Sequence, residues 1–236
     1  MPRPIEVEWQ KYTGRNTPAE IHRQKYTGRN RPADGGMMKI WPDEFEAHGT
    51  HVGIVPLHPD HAPDLEEVVA KAALHRLWYT AIPEPANIMQ EIERRNRLRN
   101  EGSMQPFAVI DKRTGQAVGM TSYMNIDAAT PRLEIGSTWY CPSVQKTGLN
   151  TECKLLLLRH AFDRLNCRAV EFRTHAINQQ SRRAIERLGA KFDGILRAHM
   201  VLANGTIRDS AVYSIIAAEW PTVEAHLTWQ LEKPRP

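Results

Sequence analysis

The chain has 236 residues and is short of several things. It has no run of about 18 apolar residues, so no membrane-spanning helix is expected. No apolar block follows the basic start, so no secretory leader is expected. Cysteine is scarce. Cys141, Cys153 and Cys167 are odd in number and form no C-x-x-C pair, which fits a reducing, cytoplasmic compartment better than a disulfide framework. No Ser–His–Asp or Cys–His signature points to a covalent nucleophile, and Cys141 reads as a structural cysteine. Strong charge of one sign is also missing from most of the chain. The net charge is +4, but residues 1–36 carry seven basic against four acidic side chains, leaving 24 against 23 for the other 200. The basicity sits in the N-terminal stretch, so no nucleic-acid-binding surface is expected on the folded part.

That stretch, residues 1–36, is rich in Pro, Gly, Arg and Asn and repeats QKYTGRN at Gln10–Asn16 and Gln24–Asn30. It has too few apolar residues to bury a core, so it reads as a flexible basic extension, with the folded domain over 37–236. An arm that touches RNA or substrate through Tyr12 and Tyr26 is the functional alternative. Met37 and Met38 would be plausible starts for the domain alone. His48-x-x-His51 and His58-x-x-His61 have histidine spacing, but Gly49, Pro59 and Pro63 argue for loops and no closed ligand set accompanies them. No metal is expected.

Apolar spacing predicts a helix over Asp64–Tyr79, with Leu65, Val68, Val69, Ala72, Ala73 and Leu77 inward and Trp78 packing at a turn. A second helix is predicted over Pro85–Asn100, with Ile88, Met89 and Ile92 inward and a solvated basic face of Arg94, Arg95, Arg97 and Arg99. Strands follow at 106–111 and 117–126 around a Thr114-Gly115 turn, then at 132–140 and 169–174. A helix over 178–188 ends at Gly189. Strands at 196–203 and 206–216 pair across Asn204-Gly205, and a last helix runs over 219–232 with Pro221 in its first turn. Helices first, then mostly antiparallel strands interrupted by two helices, is an α+β layout and not a βαβ repeat.

Between the strand ending at Tyr140 and the helix through Leu155–Leu165 lies a polar turn: Gln145, Lys146, Thr147, Gly148, Leu149, Asn150 and Thr151. A strand, a glycine-containing loop and a helix aim backbone N–H groups and a positive dipole end into one concavity, which suits a phosphate or pyrophosphate. Thr151 is placed to cap the helix. Taken alone, such a turn also occurs with no ligand.

Gln145-x-x-Gly148-x-Asn150 resembles the pyrophosphate loop of the GNAT superfamily of N-acetyltransferases. Asn178-x-x-Ser181 and the following AIERLGAKFDG resemble the family's next helix. The strand RDSAVYSI and the EWP close resemble its branch that acetylates ribosomal-protein N-termini. The likeness covers about Gly53 to Leu231. It implies the GNAT fold, a mixed and mostly antiparallel sheet flanked by helices, in which the first helix pair borders the acceptor groove. It also implies acetyl-CoA as co-substrate, an amine acceptor, and direct transfer in a ternary complex. Dimerisation through the last strands is common in that branch, so a homodimer is carried as an expectation.

By the same resemblance, Thr138, Trp139 and Tyr140 lie along the pantetheine arm. The turn Gln145–Thr151 wraps the pyrophosphate, with Asn150 where the family has a small residue and Lys146 as an added phosphate contact. Asn178 binds the pantetheine arm or a water, or else caps its helix. Glu134 is the candidate base, or else a salt-bridged strand residue. The family's tyrosine acid falls at Ile185, so that acid is absent and Ser181 is the candidate substitute. An α-amine has a reference pKa of about 7.7–8.0 against about 10.4 for lysine, so a site without a strong base suits an N-terminal or small α-amine better. A small-molecule amine, a non-catalytic acyl-CoA sensor and an RNA-binding protein using the arm are the rivals.

Overall fold

A computed structural model describes residues 41–145 and 147–233. The extension over residues 1–36 lies outside the described residues, as does Lys146.

The strands are β1 (Ala47–His48), β2 (Val52–Pro56), β3 (Met104–Asp111), β4 (Gln116–Asp127), β5 (Arg132–Tyr140), β6 (Ala169–His175), β7 (Lys191–Val201) and β8 (Ile207–Ile216). They form one eight-stranded sheet in the order β1-β2-β3-β4-β5-β6-β8-β7. Every neighbouring pair is antiparallel except β5 with β6. The helices are α1 (Ala62–Ala72), α2 (Ile88–Asn100), α3 (Gly148–Arg159), α4 (Gln179–Glu186) and α5 (Trp220–Glu232).

Side chains alternate across the strands, so β2–β5 feed two cores. On one face, Tyr123, Leu133, Phe172 and Tyr213 bury against Leu155, Leu158, Trp220 and Leu227 of α3 and α5. On the other, Ala108, Met120 and Trp139 bury against Leu65, Val69, Ile88 and Ile92 of α1 and α2. Each such leucine or isoleucine contributes about 1.5–3 kcal/mol when fully buried. The second core stops at β5, which leaves the same face of β6 and β8 without a covering helix.

The α+β layout is the one expected, but several details differ. The first helix ends at Ala72, because Ala73 takes a left-handed backbone (φ 49°) and the chain continues as a short 3-10 turn over Leu74–Arg76. Leu77 is consequently exposed, and Trp78 does not pack in the core: it is exposed and meets the His175 ring edge-on, centroids 5.9 Å apart. In α2, Met89 faces solvent and Arg95 does not. Arg95 is 2 % exposed, because it lies on the stripe of Ile88 and Ile92. β1 and β2 have no counterpart among the strands expected from the sequence. His58 and His61 form a reciprocal cap on the turn before α1, with the His58 N–H donating to His61 Nδ1 at 3.0 Å and His58 Nδ1 accepting from the Asp60 N–H at 3.3 Å.

Candidate active site at the parting of two parallel strands

β5 and β6 pair only at Arg132–Ala169, Leu133–Val170 and Glu134–Glu171. Beyond Glu134 the two strands part, and the backbone edge of residues 136–140 no longer has β6 opposite it. Two local features of β5 shape this gap. Ser137 has a left-handed backbone (φ 48°), costing on the order of 1–2 kcal/mol, and the register against β4 slips beside it. Buried Arg95 secures that bulge: its Nη1 donates to the Ser137 carbonyl at 3.2 Å and to Ser122 Oγ at 3.1 Å, while its Nε donates to Glu91 at 2.7 Å. Gly136 is the second feature. A Cβ there would lie 2.6 Å from Glu134 Oε1 and 2.7 Å from Met124 Sδ, so any larger residue would displace the Glu134 carboxylate or Met124 from where they stand.

Glu134 is buried at the fork. Asn125 Nδ2 donates to its Oε2 at 2.6 Å, and Arg173 Nε stands 3.5 Å from the same oxygen. Burial raises the carboxyl above its usual range, against the pull of Arg173, Asn125 and Arg208. The carboxylate is therefore both ion-paired and poised to hold a proton at a higher pH than a surface glutamate.

Two helices start at this gap. α3 begins at Gly148 and its cap is Thr147, not Thr151. Thr147 Oγ1 accepts from the Leu149 N–H at 3.2 Å and donates to the Val144 carbonyl at 2.7 Å. Thr151 falls a turn later, is buried, and accepts from Arg187 Nη1 at 3.0 Å. Asn178 caps α4, accepting from the Ser181 N–H at 3.0 Å. The two starts are neighbours, since Gln180 Nε2 approaches Gln145 Oε1 at 3.5 Å. Gln145 Nε2 in turn donates to the Tyr140 carbonyl at 3.2 Å.

The loop fits an anion such as a pyrophosphate. Thr147 satisfies the Leu149 N–H, one of the leading donors of α3, and the first-turn N–H groups of a helix are those that an anion takes. Asn150 Oδ1 is buried with no hydrogen-bond partner among the described residues. Leu149 turns its side chain into the core.

Along β5, the expected arm-binding residues have different surroundings. Trp139 is buried under α1 and α2, with its Nε1 unpartnered among the described residues. Tyr140 buries its ring under α3 and reaches Cys153 Sγ at 3.5 Å, so only its backbone faces the gap. Thr138 shares a 2.7 Å hydrogen bond with Thr121, and both hydroxyls accept from Lys154 Nζ, at 3.0 and 3.3 Å. Lys154 is buried with no carboxylate in ion-pair range among the described residues, and burial lowers its pKa to about 8.

Gln145 thus joins the end of β5, the strand that carries Glu134 and Thr138, to the starts of α3 and α4, where Gly148, Asn150, Asn178 and Ser181 lie. Arg95, Asn125, Lys154, Arg173 and Arg208 were not foreseen. For Arg95 and Lys154 a signal existed: each sits on the apolar stripe of its helix. A surface pocket of about 700 Å³, lined by Glu186, Arg187, Lys191, Glu219 and His226, lies at the other end of α4 and holds none of these residues. Among the described residues, no group of three His, Cys, Asp or Glu side chains is placed to hold a metal. No helix there is long and apolar enough to cross a membrane.

Comparison with known proteins agrees with this geometry. Residues 51–191 match the acetyltransferase (GNAT) domain family. YdaF of Bacillus subtilis (strain 168), a protein provisionally named as a ribosomal N-acetyltransferase, is 26% identical over 176 residues, 72% of this chain and 93% of the relative. The crystal structure of a GCN5-related N-acetyltransferase from Brucella melitensis superposes with a TM-score of 0.71 at 32% identity, covering 80% of this chain and 86% of that one. RimJ of Mycobacterium smegmatis, solved with CoA-disulfide, shares the fold with a TM-score of 0.65 at 21% identity, over 76% of this chain and 88% of its own. The chain belongs to the GNAT acetyltransferase family and is an N-acetyltransferase that uses acetyl-CoA.

Proposed function

We propose that the acceptor is a protein or peptide N-terminus, and that the acetyl group passes to it directly, with both substrates bound together. The observation that carries this reading is Glu134, buried at the fork of β5 and β6 with its carboxyl raised by burial. Acetyl-CoA supplies an acetyl group as a thioester when bound. The leading N–H groups of α3, with Gln145 and Lys146, hold the diphosphate, and Asn178 and the edge of β5 along Thr138–Tyr140 orient the arm. Glu134 takes the proton of the attacking amine, directly or through one water. Burial raises its carboxyl while Arg173 and Asn125 oppose the rise, and an α-amine, which gives up its proton more readily than a lysine, asks less of such a base. Ser181, at the start of α4, gives a proton to the departing sulfur; its hydroxyl has no other partner among the described residues.

The same reading places the protein in the cytoplasm and treats residues 1–36 as an extension that the cofactor site does not need. It includes a homodimer through the outer face of β7, supported by the exposed apolar side chains Phe192, Leu196, Met200 and Val201 on that edge strand. The test is free-thiol release by the purified chain with acetyl-CoA and a panel of amines. N-terminal peptides should be turned over with a kcat/KM at least about 10-fold above that of polyamines, aminoglycosides and lysine side chains, a difference worth about 1.4 kcal/mol. Equal or higher turnover of a small amine would overturn the acceptor, and a blank-level rate for every amine would overturn catalysis.

A further inference from the structure

The face of β6 and β8 that carries no helix, with His199 of β7, bears four basic side chains, Arg173, His175, His199 and Arg208, of which Arg173 and Arg208 act on Glu134. Their partners are unevenly shared. Glu171 is held by Arg132 and by Arg173, whose Nη2 donates to it at 2.8 Å. Asp209 accepts from Arg197 Nε at 2.6 Å and from the Ala198 N–H at 2.7 Å. Glu134 has Asn125 and Arg173. Arg208 is left with one hydrogen bond, from its Nε to Ser210 Oγ at 3.0 Å; His199 Nδ1 meets the same hydroxyl, also at 3.0 Å. Among the described residues no carboxylate stands within ion-pair distance of Arg208, although it is half-buried and acts on Glu134 at longer range. The nearby histidines are kept from charging: burial and Arg208 hold both His175 and His199 below their usual pKa, and Arg173 adds to the effect at His199.

A half-buried guanidinium whose terminal nitrogens have no partner among the described residues is placed to take an anion through charge-assisted hydrogen bonds. The fork of arginine matches a carboxylate in two parallel hydrogen bonds. Resting on the acceptor reading above, we infer that Arg208, steadied through Ser210 by His199, binds a carboxylate carried by the acceptor beside the amine that Glu134 receives. The carboxylate is an acidic side chain within the first few residues of the acceptor peptide. Exposed Trp78, edge-on to His175, forms the neighbouring wall.

The experiment compares Ser-Glu-Ala-Ala and Ser-Gln-Ala-Ala, both amidated at the C-terminus, by thiol release with the full chain. The wild type should favour the glutamate peptide in kcat/KM by roughly 10- to 100-fold, the range of one charge-assisted hydrogen bond. In Arg208→Gln that ratio should fall to within about twofold of one, while Arg208→Lys should retain part of it by keeping the charge. Calorimetry without acetyl-CoA should show the glutamate peptide binding more weakly to Arg208→Gln than to the wild type. Equal wild-type rates on the two peptides, or an unchanged ratio in Arg208→Gln, would overturn the inference while leaving the N-terminal acceptor intact. A preference for free serine over serinamide with neither peptide turned over would replace the side-chain carboxylate by the amino acid's own and overturn the peptide acceptor too.

Discussion

At the scale of single residues, the site is a set of buried polar groups with unequal compensation. Lys154 is the plainest case. Its ammonium is removed from water and, among the described residues, donates only to the Thr121 and Thr138 hydroxyls, which also bond each other. Its pKa falls from 10.5 to about 8, so the folded state binds this proton less well than the unfolded state. The sign follows from linkage: a depressed group adds stability that is present above pH 10.5 and is lost as pH falls through about 8. Lys154→Met should therefore be more stable than the wild type at pH 7, by on the order of 2 kcal/mol, and the difference should close between pH 8 and 10.5. Urea unfolding at pH 7 and pH 10 measures this; a variant less stable than wild type at pH 7 contradicts it.

At the scale of elements, local rules of the sequence decided much and left specific gaps. Asn178 as the cap of α4 was legible, because an Asn before a polar first turn has one good geometry. The start of α3 was not, because Thr147 and Thr151 flank the same turn. Gly148 looks like part of the loop, yet it is the first helical residue, which moves the cap to Thr147. Arg95 was misplaced for a similar reason: counted as one of four basic residues it looks solvated, yet its spacing from Ile88 and Ile92 puts it inside. The grouping of Arg208 with His199 and Glu134 had no sequence signal, since it depends on how β8 pairs with β6 and β7.

The contact between α3 and the β1–β2 connection shows how two elements are locked together. Buried Glu152 accepts backbone N–H groups from Thr50 at 2.7 Å, His51 at 2.6 Å and Val52 at 2.9 Å. Gly49 leaves room for that carboxylate, because a Cβ there would collide with it. Glu152→Ala strands three amide donors, two of them partly and one wholly buried, and should cost about 3 kcal/mol or more in chemical unfolding. A loss below about 1 kcal/mol would show that water or a neighbour replaces the carboxylate. Because Glu152 lies one turn from the start of α3, the same variant should also weaken coenzyme A binding.

At the scale of the whole molecule, the sheet divides its labour. β2–β5 carry helices on both faces, while β6 and β8 carry them on one face only. β7 closes the sheet as an edge strand that exposes apolar side chains, Leu196, Met200 and Val201 among them. A homodimer through β7 should appear in light scattering at micromolar concentration, and Leu196→Lys combined with Met200→Lys should give a monomer that still binds coenzyme A. A wild-type monomer at all concentrations up to about 100 μM would contradict it; an interface of standard size gives tighter association.

The overall α+β class and the order of elements follow from periodicity and turn chemistry. The fork does not, since it arises where one parallel pairing stops, and a pattern of apolar residues carries no information on that. The account makes Glu134 the group that accepts the amine's proton there. Its most direct test is the pH dependence of kcat with an N-terminal peptide, for the wild type and for Glu134→Gln. Activity should fall as pH drops through a limb lying above the ordinary glutamate value of 4.5, and Glu134→Gln should lose that limb along with about 100-fold or more of kcat, at unchanged affinity for coenzyme A. An identical limb in both proteins would contradict the account.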